Sequence, residues 1–196
     1  MPRSARELYD GGVYHVFNRG HNKQALFHSK ADYTVFKKYI RNYLGDHNII
    51  IYHYVIMPNH FHLLVKALKA TALPIFMKGI CQSYAKYHHK KYDTVGYLYQ
   101  NRYKCIPIED NRYLLECARY IERNPLRANI VDNLRNYVYS SYLYYALGFR
   151  DSLVTSNPLY KDMGKSTLKR QKAYRKCINE SRPYDEILDK KLKILC

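Results

Sequence analysis

The sequence contains no apolar run of the roughly 18 to 20 residues that a membrane span requires. Its first segment, residues 1–12, also lacks the apolar stretch of a secretory signal peptide. These two absences argue against a membrane protein and against a secreted protein. We therefore expect a cytoplasmic protein that has no membrane partner.

Paired cysteines are also missing. The five cysteines lie far apart, are odd in number and include no C-x-x-C pair. This spacing argues against a disulfide framework and against a thiolate zinc site. We expect reduced and mostly buried thiols at Cys81, Cys105, Cys117, Cys177 and Cys196.

Acidic residues are scarce. The chain has 16 Asp and Glu against 33 Lys and Arg, a formal net charge of +17. A protein this basic attracts polyanions, of which nucleic acid is the commonest and a membrane surface the second candidate. An inert, lysine-rich surface is the alternative. The 23 tyrosines add flat rings on which unpaired bases can stack, although most of them serve packing.

No internal repeat or low-complexity tract divides the 196 residues. Apolar spacing predicts the element order β-α-β-β-α-β-α. That order fits an α+β fold, a ferredoxin-like sandwich with a central antiparallel β-sheet. We expect this domain over residues 1–139, followed by a basic C-terminal extension over 140–196 that forms a helical tail. The expected strands lie within 11–20, 48–59, 60–67 and 103–108, and the expected helices within 30–47, 73–91 and 112–123.

Two histidines interrupt the apolar stretch "VIMPNHFHLLVKA" (55–67). Alternate residues of a strand point to the same face, so His60 and His62 project together while Phe61 points to the other face. Such a pair can hold one metal ion. Taken alone, the pair more often represents half-buried histidines satisfied by hydrogen bonds. A zinc site is disfavoured because no cysteine lies nearby.

The third predicted helix lies within "DNRYLLECARYIERNPLRANIV" (110–131) and should be capped by Asp110 or Asn111. Pro125 is expected to end or kink it. The apolar stripe that faces the sheet is predicted to contain Leu114, Ala118 and Ile121.

Tyr120 lies off that stripe and shares a face with Glu116 and Asn124, next to a basic ridge of Arg119 and Arg123. A hydroxyl in this setting suits a phosphate. The alternative is a surface tyrosine whose ring lies along the helix.

Three motifs in this order resemble those of the REP-associated tyrosine transposases, an IS200-like group within the HUH endonuclease superfamily. The motifs are "MPNHFHLLV" (57–65), "GYLYQNRYK" (96–104) and "RYIERNPLRANIV" (119–131). The opening residues and "YSSY" (139–142) match as well, so the resemblance covers about residues 1–150. One departure is Asn129, where the family more commonly has glycine.

The resemblance implies a metal-dependent endonuclease and strand transferase that cuts single-stranded DNA at or near a hairpin. His60, His62 and Asn124 would hold the metal, Mg²⁺ or Mn²⁺. Tyr120 would be the nucleophile and form a 5′-phosphotyrosine intermediate. The reaction needs no nucleotide cofactor, because the covalent link conserves the energy of the broken bond.

The implied partner is single-stranded, palindromic hairpin DNA, bound by a monomer or homodimer in a bacterial nucleoid. A non-catalytic nucleic-acid-binding protein with a ferredoxin-like fold is the alternative, although no RNP-type stretch is present. A replication initiator or relaxase of the same superfamily is a third possibility. The candidate DNA-binding residues are Arg3, Arg6, Asn18, Arg19, Arg102, Lys104, Arg119 and Arg123.

Overall fold

A four-stranded antiparallel sheet in the order β2-β3-β1-β4 forms the centre of the protein. The computed structural model describes residues 7–46 and 48–180. The element order and the all-antiparallel pairing confirm the predicted ferredoxin-like α+β fold. The strands are β1 (Val13–Arg19), β2 (Ile49–Met57), β3 (His60–Ala67) and β4 (Lys104–Pro107); the helices are α1 (Lys30–Asp46), α2 (Ala72–Tyr92), α3 (Asn111–Arg127), α4 (Tyr142–Leu147), α5 (Pro158–Asp162) and α6 (Thr167–Asn179), with 3₁₀ turns at His21–Lys23 and Leu134–Asn136.

Strand alternation divides the side chains of the sheet between two layers. In β3, Phe61, Leu63 and Val65 join the core that α1 and α2 cover. Leu64 belongs to a second cluster, which α3 covers. Because residues two apart share a face, His60 and His62 lie on the α3 side with Leu64.

Helices α1 and α2 pack side by side on the first face. Their buried residues Phe36, Phe76 and Tyr84 lie in one cluster with Phe61. At Gly79 of α2 an added Cβ would strike the ring of Tyr43, so this glycine permits the close approach of the two helices. This layer is a conventional hydrophobic core.

Helix α3 crosses the second face. The Asp110 side chain accepts a hydrogen bond from the Tyr113 amide at 2.7 Å, so Asp110 is the N-cap. The helix was predicted to span 112–123, with Pro125 ending or kinking it; the predicted end was wrong, because α3 continues to Arg127 with Pro125 inside it. The proline leaves the Ile121 carbonyl without its backbone donor, and the side chain of Asn124 donates to that carbonyl instead.

The C-terminal helices pack behind α3, in agreement with the predicted helical tail. Tyr174 of α6 donates to Glu122 at 2.7 Å, and Glu122 also binds His53 of β2 at 2.9 Å and Ser141 at 2.6 Å. This buried polar network joins the tail to α3 and to the sheet. In the part of the chain that the structure describes, no helix is long and apolar enough to cross a membrane.

Candidate active site

His60 is oriented by its neighbour Asn59. The Asn59 amide nitrogen donates to the Lys23 carbonyl at 3.1 Å, which leaves its oxygen to accept from Nδ1 of His60 at 2.6 Å. A histidine that donates through Nδ1 carries its lone pair on Nε2. Within residues 7–46 and 48–180, Nε2 of His60 is buried and makes no hydrogen bond.

His62 is oriented by a second histidine that the sequence analysis did not identify. Nε2 of His15, on β1, lies 2.8 Å from Nδ1 of His62. The rings of His15 and His62 stack with centroids 5.0 Å apart. Nε2 of His62 is likewise buried without a hydrogen-bond partner among the described residues. If Nδ1 of His62 donates to His15, the lone pair of His62 lies on Nε2, as in the neighbouring ring.

All three imidazoles are held in the neutral form. Burial lowers the pKa of His15 to about 3 and that of His60 to about 4, although a polar contact with Asn124 acts to raise the latter. Burial, followed by the neighbouring His15, His60 and Arg127, lowers the pKa of His62 well below its usual value. Neutral imidazole is the form that binds metal ions.

Tyr120 faces these histidines directly. Its ring centroid lies 5.8 Å from that of His62 and 6.1 Å from that of His15. Its side chain is fully buried in the cluster between α3 and the sheet, so the prediction that Tyr120 lies off the sheet-facing stripe was wrong. Arg127, which the sequence analysis did not single out, places its guanidinium 5.2 Å from the centre of the Tyr120 ring.

Asn124 lies one helical turn beyond Tyr120 and is also buried. Its Nδ2 donates to the carbonyls of Tyr120 at 2.9 Å and Ile121 at 3.3 Å. The amide nitrogen is therefore turned towards the helix backbone, which leaves Oδ1 as the group available to His60. Glu116, on the same helix, instead accepts from Arg119 at 3.1 Å.

This cluster fits a divalent metal ion. Two buried imidazole nitrogens without hydrogen bonds are costly unless a ligand satisfies them. An amide oxygen beside them completes a set of two nitrogens and one oxygen, which suits Mg²⁺ or Mn²⁺. No group of three His, Cys, Asp or Glu side chains in the described residues is arranged to hold a metal, so the amide of Asn124 is essential to this set.

A cavity of about 160 Å³ opens beside His60. It brings together four of the predicted DNA-binding residues from β1, β4 and the segment before β4. Arg19 is held there by two hydrogen bonds to Gln100, at 3.1 and 2.9 Å. The predicted residues that line the cavity are Asn18, Arg19, Arg102 and Lys104.

The other predicted DNA-binding arginines lie elsewhere. Arg119 and Arg123 are buried and donate to backbone carbonyls at the end of α6, Arg119 to Glu180 and Arg123 to Ile178 at 2.8 Å. In this arrangement they fasten the tail to α3 and do not face the cavity. Their helical spacing suggested a basic ridge because the docking of α6 is not visible in the sequence. Arg3 and Arg6 lie outside the described residues.

The sequence matches the family model described as "Transposase IS200 like" over residues 9–124. None of the curated proteins with which the chain was compared matches it significantly. A solved structure of a REP-associated tyrosine transposase bound to a REP hairpin aligns with a TM-score of 0.61 and 16% identity, over 80% of this chain and 93% of that one. At this identity the match shows a shared fold.

A putative transposase from Deinococcus radiodurans R1 aligns less well, with a TM-score of 0.40 and 18% identity over 69% of this chain and 97% of that one. The family match spans more than half of the present chain and contains every residue of the cluster from His15 to Asn124. The chain belongs to the IS200-like transposase family.

Proposed function

We propose that this protein is a metal-dependent, single-strand-specific DNA endonuclease and strand transferase that uses Tyr120 as its nucleophile. The observation that carries the proposal is the pair of buried, unbonded Nε2 atoms of His60 and His62, next to Tyr120 and Asn124 of α3. Nδ1 of His15 and Nε2 of His88 are likewise buried without a partner among the described residues. What distinguishes His60 and His62 is therefore their position beside Asn124 and Tyr120 together with the missing hydrogen bonds.

His60, His62 and Asn124 would hold the cation. A bound divalent cation would stabilise negative charge on the scissile phosphate and on the leaving 3′-oxygen. The neighbours of these histidines support this role, because Asn59 and His15 each fix one imidazole through its other nitrogen. Such outer partners commonly orient histidine ligands.

Tyr120 would attack the phosphorus through its hydroxyl oxygen. A Tyr120 O–P bond forms, the P–O3′ bond breaks, the phenolic proton passes to solvent and the 3′-oxygen takes up a proton. The product is a 5′-phosphotyrosine and a free 3′-hydroxyl, and attack by another 3′-hydroxyl reverses the step and joins new ends. The guanidinium of Arg127 lies where it can stabilise the negative charge that develops near the tyrosine.

The cavity beside His60 would receive the DNA backbone. Its arginine, lysine and asparagine side chains are typical donors to phosphate oxygens and base edges. Since Tyr120 is 0% exposed, its hydroxyl reaches a phosphate only after a local rearrangement between α3 and the sheet. A flexible single strand adapts to such a site better than a stiff duplex does. We propose that the strand is cut at the foot of a hairpin.

We assign this chemistry to residues 1–139 and treat 140–196 as an extension. The support is positional, because the sheet and α3 carry all the proposed catalytic groups. Helix α6 of the extension contacts α3 from behind through Arg119, Arg123 and Glu122.

The experiment uses 5′- and 3′-labelled single-stranded hairpins whose foot and flanks are randomised, incubated with the full chain and Mn²⁺ or Mg²⁺. We expect a covalent protein–DNA adduct on a denaturing gel. Tyr120→Phe should abolish the adduct, while Tyr113→Phe, two turns earlier on the same helix, should retain it. Binding of the hairpins without adduct in either metal would instead support a non-catalytic DNA-binding protein.

A further inference from the structure

Pro125 lies inside α3, where a proline removes one backbone hydrogen bond. In an α-helix the N–H of residue 125 would donate to the carbonyl of Ile121. Proline has no N–H, so this carbonyl loses its regular partner. The helix nevertheless continues, and the Ala128 amide donates to the Asn124 carbonyl at 2.9 Å.

The Ile121 carbonyl is satisfied by a side chain instead. Nδ2 of Asn124 lies 3.3 Å from it and 2.9 Å from the carbonyl of Tyr120. The residue next to the proline thus fills the acceptor that the proline leaves. Asn124 is 4% exposed, so little water can reach this point.

This arrangement selects one of the two orientations of the amide. With Nδ2 on the two carbonyls, Oδ1 points away from the backbone, and His60 is the imidazole that the Asn124 side chain contacts. The flipped amide would place its oxygen against two carbonyl oxygens and expose its NH₂ group to His60. The flipped form cannot serve as an oxygen ligand.

We propose that Pro125 is a positioning residue for Asn124. By leaving the Ile121 carbonyl without a backbone donor, it allows two carbonyls to hold the Asn124 amide nitrogen, so that the amide oxygen faces His60. The purpose that we give to this orientation, to present an oxygen ligand to a metal ion, rests on the proposed function. The orientation itself can be measured in the metal-free protein.

The first test is Pro125→Ala in the full chain, which restores the N–H and makes it compete for the Ile121 carbonyl. Loss of one neutral hydrogen bond predicts hydrogen exchange of the Asn124 side-chain amide about 3- to 10-fold faster than in the wild type, measured by NMR without metal. Pro74→Ala, in the first turn of α2, is the control and should leave that exchange rate unchanged. Equal exchange rates in wild type and Pro125→Ala would overturn the proposal.

The second test is a cycle with Asn124→Asp, followed by Mn²⁺ titration using calorimetry. In the asparagine background we expect Pro125→Ala to weaken Mn²⁺ binding roughly 3- to 10-fold. A carboxylate offers an oxygen in either orientation, so in the aspartate background the same change should alter affinity by less than about 2-fold.

Equal weakening in both backgrounds would assign the effect to a displaced helix and overturn the proposal. Circular dichroism checks that α3 stays folded, and replacing a proline within a helix by alanine favours the helix. If the wild type binds no Mn²⁺, the metal site of the proposed function fails, while the exchange measurement still decides the role of Pro125.

Discussion

The two faces of the sheet use the same strands for opposite purposes. On the α1–α2 face, Phe61, Leu63 and Val65 of β3 enter a hydrophobic cluster. On the α3 face, His60 and His62 of the same strand meet His15 and Tyr120. A period of two in one strand thus places a core and a candidate site back to back.

The two faces also differ in how they contribute to stability. On the α1–α2 face, each buried apolar side chain stabilises the folded state. The α3 face buries histidine nitrogens that have no hydrogen bond among the described residues, which lowers stability until a ligand binds. The core on one face can therefore support a destabilising polar cluster on the other.

Removing an apolar side chain should have the largest effect on folding. Phe61→Ala leaves a cavity between β3 and α1, next to Phe36, whose ring lies 4.9 Å from that of Phe61. We expect a loss of about 3–5 kcal/mol in the free energy of unfolding, measured with urea. A loss below about 1 kcal/mol would mean that this face is not the main source of stability.

The matching change on the other face should separate stability from function. His60→Phe removes an unbonded buried nitrogen, which favours folding, and the hydrogen bond from Nδ1 to Asn59, which opposes it. The two effects offset each other, so the free energy of unfolding should change by no more than about 1 kcal/mol. Mn²⁺ binding, measured by calorimetry, should become undetectable. The two faces would not differ as described if His60→Phe destabilised the protein as much as Phe61→Ala does.

Acid should weaken the α3 face first. The folded pKa values of His15 and His60, about 3 and about 4, lie below the value of about 6.5 expected after unfolding, so the unfolded chain binds more protons in this range. Stability should be fully present above pH 6.5 and should fall as the pH drops from 6.5 towards 4. The slope is at most about 1.4 kcal/mol per pH unit for each neutral histidine.

Urea unfolding at pH 7.5, 6 and 5 measures this slope in metal-free protein. The double variant His15→Leu/His62→Leu removes two of the three buried imidazoles on the α3 face and should reduce the slope. His60, and His88 of α2, are retained in both proteins, so their contribution stays the same. An unchanged slope would show that other groups cause the acid sensitivity.

Two classes of arginine should give smaller effects, one on stability and the other on DNA binding. Arg119→Ala removes a buried ion pair with Glu116 and a bond to α6, and should lower the free energy of unfolding by about 1–3 kcal/mol. Arg102→Ala, at the exposed cavity, should leave stability unchanged and reduce the salt dependence of hairpin-DNA binding by about one phosphate contact. Fluorescence anisotropy at several salt concentrations measures the second effect.

The sequence contained enough periodic information for the fold, because strand alternation and helix spacing are local properties. Motif resemblance predicted His60, His62, Tyr120 and Asn124 as site residues, and the structure brings these four side chains together. His15 was missed because its role depends on the register between β1 and β3, which pairs Phe17 with His62 and brings His15 alongside.

Long-range packing also explains the other differences between the expected and the observed structure. Arg119 and Arg123 are ordinary surface cations by spacing, and only the docking of α6 buries them. Where α3 runs through Pro125, the Asn124 side chain takes the vacant Ile121 carbonyl, a compensation that helix propensities do not include.

A mass-spectrometric map of the covalent adduct shows whether Tyr120 is the nucleophile. The full chain is incubated with Mn²⁺ and hairpin DNA, and the product is digested with nuclease and protease. We predict that a 5′-phosphonucleotide is attached to the peptide containing Tyr120 and that the released strand ends in a 3′-hydroxyl. Attachment to another residue, or cleavage without any protein-linked nucleotide, would contradict Tyr120 as the nucleophile.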